Sequence, residues 1–142
     1  VGNDVELGSA CTIDRGAIDD TIIADGVRLD NQVHVAHNVQ IGQHTAVAGQ
    51  AGFSGSTTVG ARCQIGGASS ISGHIEICDD VGLMGKSGVA KNIDKPGIYS
   101  NGILPLETAV QHNKNAVRFR QLDKMARMLR KIEKKVLGDS DS

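Results

Sequence analysis

The fold is decided by residues 23–94, which read IADGVRLDNQVHVAHNVQIGQHTAVAGQAGFSGSTTVGARCQIGGASSISGHIEICDDVGLMGKSGVAKNID. An aliphatic or aromatic residue returns there at every sixth position. The twelve residues of this series are Ile23, Leu29, Val35, Ile41, Val47, Phe53, Val59, Ile65, Ile71, Ile77, Leu83 and Val89. Four positions after each of them stands a small or β-branched residue, from Val27 to Ile93. The stretch is therefore a run of six-residue repeats, called hexads below.

A period of six matches neither the α-helical repeat of about 3.6 residues nor simple strand alternation. It is typical of a parallel β-helix shaped as a three-sided prism, in which each hexad supplies one short strand with two inward side chains. Three hexads make one coil, and the coils stack about 4.8 Å apart. We therefore expect four full coils around an aliphatic core, with many of the 18 glycines at corners that need a positive φ.

The series is interrupted once, near the start of the chain. Val1, Leu7 and Ile13 are in phase, but Ile23 follows Ile13 by ten positions instead of six. We interpret residues 19–22 as an insertion or a bulged corner, which a solenoid tolerates as a loop. Because the chain starts in phase and without Met, we also expect it to be a fragment of a longer protein.

After residue 94 the pattern changes twice. Lys95, Pro96 and Gly97 break the repeat, and residues 95–106 are predicted to form a loop that caps the hydrophobic end of the last coil. Residues 107–138 have helical periodicity with Gly138 as a stop, and residues 139–142 are predicted to be a disordered tail. The predicted class is an all-β solenoid, residues 1–94, with a C-terminal α-helical extension.

The helical segment has an apolar stripe and a strongly basic remainder. The stripe is formed by Leu122, Met125, Leu129, Ile132 and Val136, and it suits a helix that packs on its own subunit, on a neighbour or in a weak coiled coil. Residues 114–135 hold nine basic and two acidic side chains, whereas the whole chain has a net charge of −1. The basic face is either solvated or a docking surface for an acidic partner. Nucleic acid is not expected, because no aromatic platform accompanies the charge.

The three cysteines indicate a reducing compartment, since their number is odd and their spacing is not that of a metal site. Cys11 and Cys63 fall on inward positions and Cys78 on a small-residue position, so all three are interpreted as core filler. No apolar run approaches the length that spans a membrane. We expect a cytoplasmic protein with at most peripheral membrane contact.

Four of the five histidines lie in the repeats, all at outward or corner positions: His34, His37, His44 and His74. His112 lies outside them and is expected at the surface. Gly55 follows His37 by one coil and Gly73 by two, so the His37 imidazole is predicted to overlook backbone without side chains. A general base beside an oxyanion donor needs this arrangement. Glycine that merely shapes the corners is the alternative explanation.

A metal site formed by the histidines is the competing hypothesis. The γ-class carbonic anhydrases are β-helices that bind zinc through three histidines, and His34-x-x-His37 invites the comparison. The histidine pair at a spacing of five that those enzymes use is absent, so no metal is expected. The sequence also lacks a phosphate loop, a dinucleotide fingerprint and a nucleophile elbow.

Several irregular stretches resemble one family, the UDP-3-O-acylglucosamine N-acyltransferases of lipid A biosynthesis. They are ACTIDRGA at 10–17, LDNQVHVAHNV at 29–39, GGAS at 66–69, GHIEI at 73–77, PGIYS at 96–100 and KNA at 114–116. The resemblance implies a left-handed β-helix, a homotrimer with active sites between prisms, an acyl carrier protein as donor and a UDP-amino-sugar lipid as acceptor. No cofactor is implied beyond the acyl-4′-phosphopantetheine that the carrier brings.

The family's site residues carry over to matching positions. His37 matches the base that takes the proton from the 2-amine, Asp30 a nearby orienting carboxylate, and His74 a second histidine of the cleft. Gly55 is our candidate oxyanion donor. The remaining assignments are substrate contacts at Asn31, Gly73, Gly85 and Gly88, and carrier docking at Arg118, Arg120, Arg127 and Arg130. Gly85 and Gly88 are expected to leave space for the acyl chain.

This chemistry is physically consistent, because imidazole is a suitable base near neutral pH and a thiolate leaves without a metal. The amine can attack directly, so no covalent intermediate is expected. A basic helix would steer an acidic carrier protein. Two alternatives stay open: the related O-acyltransferase of the same pathway, and a non-catalytic trimeric scaffold.

Overall fold

A computed structural model describes residues 1–101 and 108–138 of the chain, which divides into a repeat unit and a helical unit. In the described part of the repeat unit, each regular hexad forms one short strand. The strands are β1 Glu6–Leu7, β2 Thr12–Ile13, β3 Ile22–Ile23, β4 Arg28–Leu29, β5 His34–Val35, β6 Gln40–Ile41, β7 Ala46–Val47, β8 Gly52–Phe53, β9 Thr58–Val59, β10 Gln64–Ile65, β11 Ser70–Ile71, β12 Glu76–Ile77, β13 Val81–Leu83, β14 Gly88–Val89 and β15 Gly97–Tyr99.

The strands form three parallel sheets, one for each side of the prism. The six-stranded sheet has the order β1-β4-β7-β10-β13-β15, the five-stranded sheet β14-β11-β8-β5-β2, and the four-stranded sheet β12-β9-β6-β3. Along the chain every third strand returns to the same sheet, as a period of six residues on a three-sided coil requires. The architecture matches a left-handed parallel β-helix with a helical extension, and this confirms the predicted class.

The register shows where the insertion lies. Arg28 pairs with Ala46 and Gln64 pairs with Ala46, so each coil uses eighteen residues. Across the irregular hexad the offset is 22, since Glu6 pairs with Arg28. The four extra residues therefore bulge out of the coil, and the strands on either side keep their phase.

The core is the predicted column of inward side chains. All twelve residues of the first series are buried, and Phe53 has no exposed surface. The inward hydroxyl groups bond to nearby carbonyls: Thr45 Oγ1 donates to the Gly60 oxygen and Thr57 Oγ1 to the Ser72 oxygen, each at 2.9 Å. In the described residues no buried side-chain nitrogen or oxygen lacks a partner. Burying these hydroxyls therefore leaves no donor unpaired.

The prediction that many glycines serve corners with a positive φ is wrong. The third residue of each corner takes this conformation and is usually not glycine: Gln32, Asn38, His44, Gln50, Ser56, Arg62, Ala68, His74, Asp80 and Lys86. At Gly60 a Cβ would lie 2.5 Å from the Asp79 backbone nitrogen, and at Gly66 it would collide with the Gly85 nitrogen. Glycine is needed at these positions because successive coils approach too closely for a side chain.

Residues 95–101 continue over the last coil. Strand β15 pairs in parallel with β13, and the Tyr99 hydroxyl donates to the Lys95 carbonyl at 2.8 Å. Asn101 exchanges two hydrogen bonds with the backbone of Gly88, at 2.9 and 2.6 Å. The rest of the predicted capping loop, with Pro105, and the predicted tail at 139–142 lie outside the described residues.

The helical unit contains two helices where the sequence pattern indicated one segment. Helix α1 spans Ala109–Phe119, and Thr108 Oγ1 caps it by accepting from the Gln111 N–H at 3.3 Å. Helix α2 spans Leu122–Leu137 and ends at Gly138, whose φ is 68°, as predicted for the stop. No residue of either helix is buried, and every residue of the α2 stripe is exposed.

Candidate functional site

His37 lies at the corner between β5 and β6, on the outside of the prism. We call this the His37 corner: residues 36–39 together with the residues stacked on them in later coils. The stacking is fixed by the backbone, because the Ser56 N–H donates to the His37 carbonyl at 3.0 Å and the His74 N–H to the Gly55 carbonyl at 3.1 Å. His37, Gly55 and Gly73 therefore form one column, as their spacing predicted.

The imidazole of His37 lies directly against Gly55. A Cβ built on Gly55 would come within 2.5 Å of Cε1 and 2.7 Å of Nε2 of the ring. The φ of Gly55 is not in the left-handed region. The missing side chain at this position is thus explained by the ring above it and not by the backbone conformation.

The N–H of Gly55 is an unused donor. Some corner N–H groups at this position are capped by side chains: Asn31 N–H donates to Asp30 Oδ1 at 2.7 Å, and Ala61 N–H to Asp79 Oδ1 at 2.9 Å. Those of Gly49 and Gly67 have no acceptor among the described residues. Within residues 1–101 and 108–138, no acceptor is found for the Gly55 N–H. A free backbone donor beside an imidazole is the pairing that stabilises an oxyanion while a base removes a proton.

Asn38 contacts the ring and was missed by the sequence reasoning. Its Oδ1 lies 3.0 Å from Nδ1 of His37. Its position in the sequence could have indicated this contact. Asn38 directly follows the candidate base, and an amide at a corner can bond to the preceding side chain. The contact leaves Nε2 without a hydrogen bond in the part of the chain that the structure describes.

Gly73 and His74 complete the same corner. A Cβ on Gly73 would lie 2.8 Å from the Gly55 carbonyl oxygen, so a side chain there would crowd the column. His74 adopts a φ of 59° and is exposed. The structure therefore brings four of the predicted site residues to one corner: His37, Gly55, Gly73 and His74.

Asp30 and Asn31 lie elsewhere, at the corner between β4 and β5. Asn31 Oδ1 accepts from the Ser9 N–H at 2.7 Å and so bridges two coils. Strand β5 separates this pair from His37, and Asp30 Oδ1 bonds to the Asn31 N–H instead of the ring. Asp30 lines a groove of about 790 Å³ on the six-stranded sheet, and His37 does not.

Gly85 and Gly88 lie towards the last coils. Gly85 occupies the corner stacked on that of Asn31, three coils on, and Gly88 lies on β14 in the five-stranded sheet. At Gly88, and at Gly52 two strands away in the same sheet, a Cβ would meet no atom within 4 Å. The outer face of this sheet therefore has open space at Gly52 and Gly88, although Thr12, His34 and Ser70 project from the other strands.

The corner between the four-stranded and the six-stranded sheet carries an ion cluster and no candidate site residue. Arg62 bonds to both carboxylate oxygens of Asp80, at 2.8 and 2.9 Å, and to Asp79 at 3.2 Å. The hydrogen bond from Arg62 holds the pKa of Asp80 below its usual value. The cluster links one coil to the next, and we assign it a structural role.

The cysteines and possible metal ligands offer no second site. All three cysteines are free, and burial raises the pKa of the Cys63 thiol. Across residues 1–101 and 108–138, no group of three or more His, Cys, Asp or Glu side chains could hold a metal ion. None of the described helices has the length and apolarity needed to cross a membrane.

The four candidate docking arginines lie in the helical unit. Arg118 belongs to α1 and Arg120 caps its C-terminus, while Arg127 and Arg130 lie on α2. Arg127 forms an ion pair with Asp123 at 2.7 Å. For Arg118, Arg120 and Arg130 no ion pair occurs among the described residues, so their charges are not neutralised within the helical unit.

Three short parallel sheets wound around an aliphatic column define a hexapeptide-repeat protein of the parallel β-helix class. The chain is similar to the UDP-3-O-acylglucosamine N-acyltransferase of Bordetella pertussis, with 54% identity over 94% of the chain and 37% of that protein. It is 48% identical to the Hahella chejuensis enzyme of the same name over 100% of the chain and 40% of that protein. It is 51% identical to the Coxiella burnetii enzyme of the same name over 94% of the chain and 39% of that protein.

The chain belongs to the UDP-3-O-acylglucosamine N-acyltransferase family. It spans 37% to 40% of the length of these curated relatives. No protein-family model matches the chain.

Proposed function

We propose that this chain carries the acyl-transfer site of an N-acyltransferase, which moves a 3-hydroxyacyl chain from a thioester to the 2-amine of a UDP-3-O-acylglucosamine in lipid A biosynthesis. The observation that carries the proposal is the His37 imidazole lying on Gly55, with Nε2 and the Gly55 N–H both without partners in the described chain. The names of the relatives supply the reaction class and the acceptor.

The reaction needs three events at this corner. The acceptor amine attacks the thioester carbonyl, and His37 Nε2 takes the proton that the nitrogen loses as the C–N bond forms. The Gly55 N–H donates to the carbonyl oxygen while it carries negative charge. The C–S bond then breaks, and the imidazolium returns the proton to the departing thiolate. Attack is direct, so the enzyme forms no covalent intermediate.

The remaining site residues are assigned around this centre. His74 supports the thioester from the same corner, where Gly73 leaves room for substrate. Asp30 and Asn31 belong to a different corner, so they reach the reacting groups only along the five-stranded sheet or from a neighbouring subunit. A homotrimer with clefts between prisms supplies the second route. The open space at Gly88 supports it, because a close approach from outside explains glycine where the chain itself has no need of it.

The donor is an acyl carrier protein that brings the chain as an acyl-4′-phosphopantetheine thioester. The unpaired charges of Arg118, Arg120 and Arg130 support this assignment, because carrier proteins are acidic and complementary charge speeds encounter. Arg127 contributes less, since Asp123 already neutralises it. Gly85 and Gly88 leave space for the acyl chain at this end of the prism.

The test uses a chimera in which this chain replaces the matching region of the Hahella chejuensis relative. The chimera is assayed with acyl carrier protein thioester and the UDP-amino-sugar lipid, and His37→Ala is compared with His44→Ala. His44 is a matched control because its ring also lies against a glycine, Gly26, at a different corner. We expect His37→Ala to lower kcat by about 10² to 10⁴ and His44→Ala to leave it within about threefold.

Three results would contradict the proposal. Near-normal turnover in His37→Ala would remove the base, and transfer only to a hydroxyl acceptor would favour the related O-acyltransferase. An assembled chimera that transfers to neither acceptor would identify the repeats as a scaffold.

A further inference from the structure

We propose that Asn38 is a positioning residue that fixes the tautomer of His37, and that the irregular hexad exists to anchor Asn38. The inference rests on the proposed role of His37 as the base. It concerns a side chain that the sequence reasoning passed over and an insertion that it interpreted as a tolerated loop.

The amide of Asn38 is held on every side. Oδ1 lies 3.0 Å from His37 Nδ1 and accepts from the Ala17 N–H at 3.3 Å. Nδ2 donates to the carbonyl oxygen of Asp19, and the backbone N–H donates to Thr21 Oγ1 at 2.9 Å. The side chain is half-buried. Its two partners besides His37, and the partner of the backbone N–H, all come from residues 17–21.

These contacts determine which way the amide faces. A backbone N–H can only donate and a carbonyl can only accept, so Ala17 requires an oxygen where Asp19 requires a nitrogen. An amide turned by 180° would bring two donors together at Ala17 and two acceptors together at Asp19. The orientation of Asn38 is therefore set by the main chain and does not depend on the state of His37.

The orientation of the amide in turn sets the proton on the ring. Oδ1 of Asn38 can only accept, so Nδ1 of His37 must carry the hydrogen of this contact. In a neutral imidazole the other nitrogen then has the lone pair. Nε2 is thus the basic atom, and it is the nitrogen that has no partner in the described chain.

The irregular hexad provides what a regular one does not. At regular corners the third residue donates its N–H to a carbonyl of the preceding coil, as Ser56 does to His37 and His74 to Gly55. At Asn38 the acceptor is the Thr21 hydroxyl, and the Asp19 carbonyl is left for the amide. The irregular path of the chain before β3 brings that carbonyl to Asn38. This explains why a four-residue insertion lies beside the His37 corner.

The experiment compares Asn38→Ala and Asn38→Asp with Gln50→Ala. Gln50 is a matched control because it occupies the same third corner position with a φ of 64°, close to the 61° of Asn38. Histidine labelled with ¹⁵N in the ring reports the tautomer of His37 by NMR in the unaltered chain and in each variant. Rates and their pH dependence are measured in the chimera described above.

We expect the Nδ1–H form of His37 to dominate in the unaltered chain and in Gln50→Ala. Asn38→Ala should give a mixture of tautomers and lower kcat by about tenfold to a hundredfold, less than loss of the base itself, with little change in the KM of the acceptor. Asn38→Asp restores an acceptor for Nδ1 and should recover part of the rate. Its negative charge favours the imidazolium, so the acidic limb of the rate profile should move to higher pH.

Deleting residues 19–22 gives an independent variant that restores a spacing of six and leaves Asn38 in place. It should reproduce the mixed tautomer of Asn38→Ala. An Asn38→Ala protein with an unchanged tautomer and unchanged kcat would overturn the inference. A normal rate in His37→Ala would refute only the proposed function, because the NMR measurement on Asn38 does not depend on turnover.

Discussion

The imidazole of His37 occupies the space that a side chain at Gly55 would need, with only 2.5 Å between Cε1 and a hypothetical Cβ. Gly55→Ala should therefore displace the ring without unfolding the coil, because residue 55 does not use a left-handed φ. We expect kcat of the chimera to fall by about tenfold or more, with the melting temperature nearly unchanged. Gly52→Ala is the control for folding, since its Cβ would meet no atom within 4 Å. Full activity in Gly55→Ala would contradict the close packing of ring and glycine.

The Arg62–Asp80 pair predicts a loss of stability in acid. Because Arg62 lowers the pKa of Asp80 in the folded chain, the pair stabilises the fold above the unfolded value of about 3.9. This contribution is lost as the pH falls through the lower folded value. Urea unfolding between pH 7 and pH 2 should show that acid lowers the unfolding free energy less in Asp80→Asn than in the unaltered chain. The difference should be modest, because both side chains are about half exposed.

The exposed carboxylate of Asp94 offers a comparison for that experiment, since it has no ion pair among the described residues. Asp94→Asn should follow the unaltered chain at every pH. If acid lowers the unfolding free energy of Asp80→Asn as much as that of the unaltered chain, the Arg62–Asp80 pair does not contribute to stability.

The two phenylalanines should differ sharply in their contribution to stability. Phe53 has no exposed surface inside the prism, whereas Phe119 is 74% exposed on α1. Phe53→Ala removes a ring from the centre of the column and should cost about 3 to 5 kcal/mol of unfolding free energy. Phe119→Ala should stay within about 0.5 kcal/mol. Urea denaturation monitored by circular dichroism measures both, and similar losses would contradict the predicted core.

The cysteines should separate by reactivity. Cys63 is buried and burial raises the pKa of its thiol, so little thiolate forms at neutral pH. Cys11 and Cys78 are partly exposed. Maleimide labelling at pH 7 followed by peptide mass spectrometry should modify Cys63 only after unfolding in urea. Labelling of native Cys63 at the rate of Cys11 would show that the column opens readily.

The basic helical surface predicts salt-dependent carrier binding. Arg130→Glu should weaken binding of acyl carrier protein severalfold at low salt and less at about 0.5 M NaCl, because exposed charges are screened. The additional change Arg127→Glu should weaken binding further, because it places a negative charge there and leaves Asp123 without its partner. Lys95→Glu on the repeat unit is a control of equal charge. Surface plasmon resonance gives the affinities, and an unchanged value in Arg130→Glu would reject docking at this surface.

The sequence by itself determined the solenoid. A buried residue at every sixth position, from Ile23 to Val89, leaves one way to hide the whole series, because only a three-sided coil returns each of these side chains to a common axis. The same count placed Gly55 and Gly73 in the column of His37. Spacing is sufficient for such conclusions since each coil repeats the geometry of the last.

Only the tertiary structure decided how the corners and the insertion are built. It showed that the third corner residue takes the positive φ, so that glycine at Gly60 and Gly66 serves the close stacking of coils. It separated Asp30 from His37, and it joined Asn38 to Asp19 across the insertion. These features depend on contacts between coils, which a spacing of six does not specify. A periodic pattern fixes which residues stack, but the direction of a single amide or carbonyl is set by the local path of the chain.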